Sequence, residues 1–234
     1  ARGDVPVARL LLERGAKIDA KTADSVTALM VASYAGHVDM VSFLISQGAD
    51  VNANFGFGTA LSISAYHGHA SVVKALLENG ADVNITDSEQ VTPVMDAGGR
   101  KHSDIVGLLI AKGADVNRVS STGFTALMFA ARENDAGSAK QLVNAGAEVN
   151  AQHPTVKFSC LDFAACNDNI ETGEYLISVG ARSSYVEDTP EGLYAAAVSS
   201  KLLAKWCEQS DGRDAAIQHF TAAGHYYETA SLAY

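Results

Sequence analysis

A five-residue phrase that returns about every 33 residues constrains this chain more than any other feature. Gly15-Ala16-Lys17-Ile18-Asp19 is followed by Gly48-Ala49-Asp50-Val51-Asn52, Gly80-Ala81-Asp82-Val83-Asn84, Gly113-Ala114-Asp115-Val116-Asn117 and Gly146-Ala147-Glu148-Val149-Asn150, with a worn copy at Gly180-Ala181-Arg182. The glycines stand 33, 32, 33, 33 and 34 residues apart. A second phrase keeps step with the first: Thr27-Ala28-Leu29-Met30, Thr59-Ala60-Leu61-Ser62, Thr92-Pro93-Val94-Met95, Thr125-Ala126-Leu127-Met128 and Ser159-Cys160-Leu161-Asp162. Two phrases held in register over several periods describe a stack of like units.

Each period has a local physical reading. Thr27 and its counterparts can cap a helix start through the hydroxyl, and the Pro at 93 suits a first helical position. The short helix ends near Gly36, Gly68 or Lys101. A second helix carries clusters such as Met40-Val41-Phe43-Leu44-Ile45, Val72-Val73-Leu76-Leu77 and Ile105-Val106-Leu108-Leu109-Ile110. It is apolar over a wide arc, as a helix packed between layers must be. The glycine of the Gly-Ala phrase falls just past its end, where a left-handed residue is needed. The residues up to the next Thr form a turn or hairpin. One unit cannot bury its own apolar face, but stacked copies can.

Composition narrows the possible functions. The formal charge of -10 opposes general binding to phosphate backbones. No apolar run approaches the roughly 20 residues that span a bilayer. Cys160, Cys166 and Cys207 make no disulfide framework, and reduced thiols in a cytoplasmic or nuclear setting are expected. The sequence contains no GxxxxGK[ST] loop, no GxGxxG after a strand, no HExxH and no GxSxG elbow. We therefore expect no catalytic residue, no cofactor, no metal and no small-molecule substrate. His67 and His69 could share a metal, but no Cys or carboxylate completes a set at ligand spacing. Arg2-Gly3-Asp4 spells an adhesion tripeptide, yet Gly3-Asp4 reads as the turn between two helices of a repeat. Asn84-Ile85-Thr86 is a glycosylation sequon whose asparagine belongs to the repeated phrase.

The period, the phrases and the helix-turn-helix-hairpin order resemble the ankyrin repeat over residues 1–185. The resemblance implies an all-α repeat solenoid that holds a protein partner, as an interaction scaffold or adaptor in a larger assembly. An alternative is a regulatory or substrate-recruiting part of a larger enzyme, ubiquitin ligase or channel. The family phrase Thr-Pro-Leu-His is never intact: its His position holds Met30, Ser62, Met95, Met128 and Asp162, which leaves that residue's hydrogen bond open. His37, His69 and His102, at the start of the second helix, look like structural histidines of the family. Gly137, Gly173 and Gln141 mark worn second helices.

By the same resemblance, first helices and hairpin tips line a concave binding face. The late first-helix positions are Tyr34, Tyr66 with His67, Gly99 with Arg100, Arg132 with Glu133, and Cys166 with Asn167. The tips offer Asp24, Phe55, Phe57, Glu89, Gln90, Phe124, Lys157 and Phe158. Aromatic and Arg side chains at such places suit an interface, although the Phe residues could equally pack hairpin to hairpin. Tyr34 and Tyr66 are expected side by side on adjacent layers. Asn52, Asn84, Asn117 and Asn150 occupy a position that the family can hydroxylate.

Both ends depart from the pattern. Gly3 to Leu12 matches a second helix, so we expect a first helix before Ala1 and an exposed apolar face without it. Residues 186–234 lose the phrases. They read as two helices, Leu193 to Cys207 and Arg213 to Ala230, forming either a helical cap or a separate interaction element.

Overall fold

A computed structural model describes residues 3–23, 25–54, 58–167 and 169–183. The expected C-terminal helices, Arg2, Asp24, Phe55, Phe57 and Cys207 lie outside the described residues. Among the described residues there are eleven helices and no strand, as an all-α repeat solenoid requires. The described residues fall into two compact units, the first ending at Ala126 and the second beginning at Leu127.

The first unit contains α1 (Val5–Glu13), α2 (Ala28–Tyr34), α3 (Val38–Ser46), α4 (Ala60–Tyr66), α5 (Ala70–Glu78), α6 (Pro93–Gly98) and α7 (Ser103–Ala111). Helix α8 (Ala126–Arg132) leads into the second, with α9 (Ala136–Asn144), α10 (Cys160–Cys166) and α11 (Ile170–Ser178). In the first unit α2, α4 and α6 form one layer of short helices, and α1, α3, α5 and α7 form a second layer of longer ones. Between the layers lie Leu29, Val41, Leu61, Val72, Leu76, Val94, Ile105 and Leu109, each with at most 1% of its surface exposed. In the second unit α11 packs on both α9 and α10. Its core includes Leu142, Leu161, Ala164 and Leu176. The glycines in the worn second helices do not break them: α9 and α11 each run nine residues. Val7, Leu10 and Leu11 of α1 are about half exposed.

The Gly-Ala phrase is a helix-ending device. Gly15, Gly48, Gly80, Gly113, Gly146 and Gly180 all have φ between 84 and 90°. At five of the six, the glycine N–H and the N–H of the following Ala donate back into the last helical turn. Gly48 N–H reaches Ile45 O at 2.9 Å and Ala49 N–H reaches Leu44 O at 3.1 Å. This is the Schellman arrangement, which satisfies carbonyls that the helix end would otherwise orphan.

Helix starts are less uniform. Thr27 and Thr59 Oγ1 each accept from the amide three residues on, at 3.3 Å. Ser62 Oγ returns the bond by accepting from Thr59 N–H at 2.8 Å. Asp162 does the same for Ser159, accepting from its N–H at 2.8 Å. The position that holds His in the family therefore closes a reciprocal capping box at Ser62 and Asp162, whereas Met30, Met95 and Met128 are buried in the core. Thr92 departs from the expected cap. The Met95 N–H that would reach its hydroxyl donates to Thr92 O at 3.0 Å instead, which leaves the buried Oγ1 without a partner among the described residues.

The hairpins close alike. Thr22 N–H donates to Val26 O, Asp87 N–H to Val91 O and Ser120 N–H to Phe124 O, at 2.9–3.2 Å. Ser25, Gln90 and Gly123 take the left-handed conformation within these tips.

Candidate partner-binding face

The first-helix ends of the first unit bring four of the expected contact residues together. Tyr34 and Tyr66 are the last residues of α2 and α4. They are 61% and 37% exposed, which leaves aromatic surface for another molecule. They do not simply stand side by side, because the His67 ring lies between them. Its centroid is 4.5 Å from that of Tyr34 and 5.1 Å from that of Tyr66, edge-on to both. The Arg100 guanidinium carbon sits 4.0 Å from the centroid of Tyr66. Each tyrosine thus receives the residue one place further along in the next repeat, giving a ladder Tyr34–His67–Tyr66–Arg100. Such contacts fix ring orientation without burying the rings.

The ladder borders a groove of about 420 Å³ lined by Val31, Ile63, Ser62, Asp87 and Asp96. Burial, then the Asp87 charge, push the Asp96 carboxyl up to about 8. Burial, followed by His69 and His102, holds His67 below the ordinary imidazole value. The sequence reading missed Asp96. Its signal was available: the equivalent residue of other repeats is Val31, Ile63, Phe129 or Phe163, and a carboxylate among these breaks the column.

Histidines behind the ladder join repeat to repeat. His69 Nε2 lies 2.9 Å from Tyr34 O, and His102 Nε2 lies 3.3 Å from Tyr66 O. Both rings need the glycine of the preceding turn: a Cβ on Gly36 would come within 2.8 Å of the His69 ring, and one on Gly68 within 2.6 Å of His102. In the second unit the same two positions hold Asn134 and Asn169. Asn169 Nδ2 lies 2.7 Å from both Ala131 O and Arg132 O, so an amide makes the link that the imidazole makes elsewhere.

Several hairpin residues are engaged within the protein. The Glu89 carboxylate accepts from Ser121 Oγ at 2.6 Å, and its carbonyl accepts from Ser121 N–H at 2.8 Å. Phe158 packs 5.4 Å from Phe163, and His153 lies 6.1 Å from the same ring. Phe124 is half-buried, with its amide on Ser120 Oγ. In the second unit Arg132 and Glu133 pair with each other at 3.0 Å, and Arg132 also lies 5.1 Å from the Phe129 ring centroid.

The repeated asparagines bridge neighbouring hairpins. Asn84 Oδ1 accepts from Asp115 N–H at 2.9 Å and its Nδ2 donates to Gly113 O at 3.2 Å. Asn52 bridges to Asp82 and Gly80, and Asn150 to Arg182 and Gly180. Asn117 N–H donates to Asp115 Oδ1. Among the described residues no three His, Cys, Asp or Glu side chains gather where they could hold a metal, and no helix is long and apolar enough to cross a membrane. Cys160 is buried with its thiol on Val149 O at 3.0 Å, and burial pushes it up to about 12.

Stacked pairs of short and longer helices joined by hairpins define an all-α repeat solenoid. A family model described as ankyrin repeats, three copies, matches residues 1–87, 61–153 and 94–186, and the chain belongs to the ankyrin-repeat family. It is similar to ankyrin repeat domain-containing protein 29 of Homo sapiens, 46% identical over 52 residues, and to that of Danio rerio, 50% identical over 52 residues. Each of these matches covers 22% of this chain and 17% of the relative. Ankyrin repeat domain-containing protein 49 of Homo sapiens is 47% identical over 47 residues, 20% of each chain. The matched region thus spans only about a fifth of the length of these relatives. Ankyrin repeats are in general protein-interaction modules.

Proposed function

We propose that this chain is a non-enzymatic scaffold that holds a protein partner, as a subunit of a larger assembly. The face it uses carries Tyr34, Tyr66, His67 and Arg100. One observation carries the reading: two tyrosines are kept in fixed orientation by His67 and Arg100, yet remain 61% and 37% exposed. Preoriented aromatic and Arg side chains lose little freedom on association, and such residues dominate binding energy at interfaces. Glu89, Phe124 and Phe158 contribute less, because they are already engaged within the protein. A cytoplasmic or nuclear setting, which keeps thiols reduced, goes with the buried Cys160 thiol.

The test is affinity purification of the full-length protein from its native source, comparing wild type with Tyr34→Ala, Tyr66→Ala and the double variant. Circular dichroism establishes that each variant is folded. The partner recovered with wild type should be lost from the double variant. Undiminished recovery by a folded double variant would exclude this face.

A further inference from the structure

The groove beside the tyrosines contains one side chain that repeat stacking does not require. Asp96 lies in the first turn of α6, in a column otherwise apolar or aromatic. Its neighbour Asp87 has a structural task, since its Oδ1 accepts from the N–H groups of Glu89 and Val91, both at 2.9 Å. The Asp96 carboxyl makes no hydrogen bond or ion pair with any described residue. A largely buried carboxyl beside a second acid, with no cation paired to it among the described residues, is destabilising unless a ligand compensates. The walls of the groove suggest what that ligand is. Tyr66 already carries a guanidinium, that of Arg100, against its ring, while Tyr34 at the other end of the ladder is the most exposed large hydrophobic side chain among the described residues of this unit.

We propose that this groove takes the side chain of an arginine presented by the protein partner, with its guanidinium against the Tyr34 ring and its N–H edge on the Asp96 carboxylate. The inference rests on the reading of the face given above and adds the chemistry of the partner. A guanidinium is planar, so it stacks on an aromatic ring and hydrogen-bonds a carboxylate in the same pose, which an ammonium does less well. An apolar side chain would seal Asp96 away from water with nothing to pair it, and an acidic one would set a further carboxylate against Asp87 and Asp96. His67, held below the ordinary imidazole value, adds little positive charge to oppose the ligand at neutral pH. The net charge of -10 favours approach of a basic segment.

The full chain is titrated with three fluorescent pools of short peptides with random flanks and a fixed central arginine, lysine or citrulline. Citrulline keeps the shape of arginine without its charge. The arginine pool should bind about tenfold or more tighter than the citrulline pool, with lysine between them. Asp96→Asn, which keeps shape and cannot ionise to pair with a guanidinium, should bring the arginine and citrulline pools together. Tyr34→Ala should weaken arginine binding. Equal behaviour of the three pools, or an arginine preference unchanged in Asp96→Asn, overturns the proposal. A native partner lost with Tyr34→Ala and Tyr66→Ala but retained by Asp96→Asn would retire the arginine slot while leaving the face in place. Retention by all three variants would retire both.

Discussion

At the scale of single residues, two glycines with the same backbone conformation differ in what surrounds them. Gly68 and Gly80 have φ of 76 and 84°, so a side chain at either costs about 1–2 kcal/mol. A Cβ on Gly80 meets nothing within 4 Å, whereas one on Gly68 would lie 2.6 Å from His102 Cε1. Gly68→Ala should therefore lose about 1–3 kcal/mol more than Gly80→Ala in urea denaturation. Part of that excess should return when His102→Ala is added, because the ring that clashes is gone. Equal losses in the two single variants would mean that backbone conformation alone keeps Gly68. The cysteines differ in a comparable way. Cys160 is buried, and burial with the Asp162 charge raises its thiol to about 12, so little thiolate forms at neutral pH. Cys166, although its thiol is also raised, is exposed. Brief alkylation of native protein near pH 8, followed by peptide mass mapping, should label Cys166 and spare Cys160 until denaturant is added. Early labelling of Cys160 would show that α10 opens readily.

At the scale of elements, the inter-repeat asparagines are the joints between hairpins. Asn84→Ala removes both an acceptor from Asp115 N–H and a donor to Gly113 O, and should cost about 1–2 kcal/mol. Asn84→Asp keeps the acceptor. Asp19 already works this way, with its Oδ1 accepting from Asp50 N–H at 3.1 Å. The Asp variant should therefore lose distinctly less than the Ala variant, and identical losses would mean the acceptor bond is worth nothing. These joints show which parts of the structure could be read in advance. The Gly-Ala phrase was legible because a helix end demands a left-handed residue followed by a fixed bonding pattern, and few sequences satisfy it. Helix starts were less legible. A Thr hydroxyl at 92 looks like those at 27 and 59, and only the turn of the chain decides whether Met95 N–H meets the hydroxyl or the carbonyl. The tyrosines at the helix ends could be placed from register alone. The insertion of His67 between them depends on where a ring from the next layer comes to rest. Asp96 was the most readable of the missed residues, since a charge in a column of Val, Ile and Phe is a local inconsistency of the kind functional sites produce.

At the scale of the whole molecule, the same carboxyl ties stability to pH. In the folded chain Asp96 is raised from 3.8 to about 8 by burial, then by Asp87. The folded state therefore holds a proton that the unfolded state has released throughout the interval between those two values. Unfolding free energy falls with pH wherever the native state binds more protons, so the contribution of Asp96 is fully present below the lower value and is lost as pH rises through the upper one. Other carboxylates titrate as well, and the effect is isolated by subtracting the wild-type stability from that of Asp96→Asn, whose amide cannot ionise. That difference should move in favour of the variant from about pH 5 upward and level off above about pH 9, as measured by urea denaturation. A difference independent of pH would show that Asp96 ionises as it would in water, and would remove the strain on which the arginine slot depends. If the difference grows as expected while the same variant loses its preference for arginine peptides, the residue lowers folding stability and confers binding specificity. Those two effects together separate a binding group from a structural one.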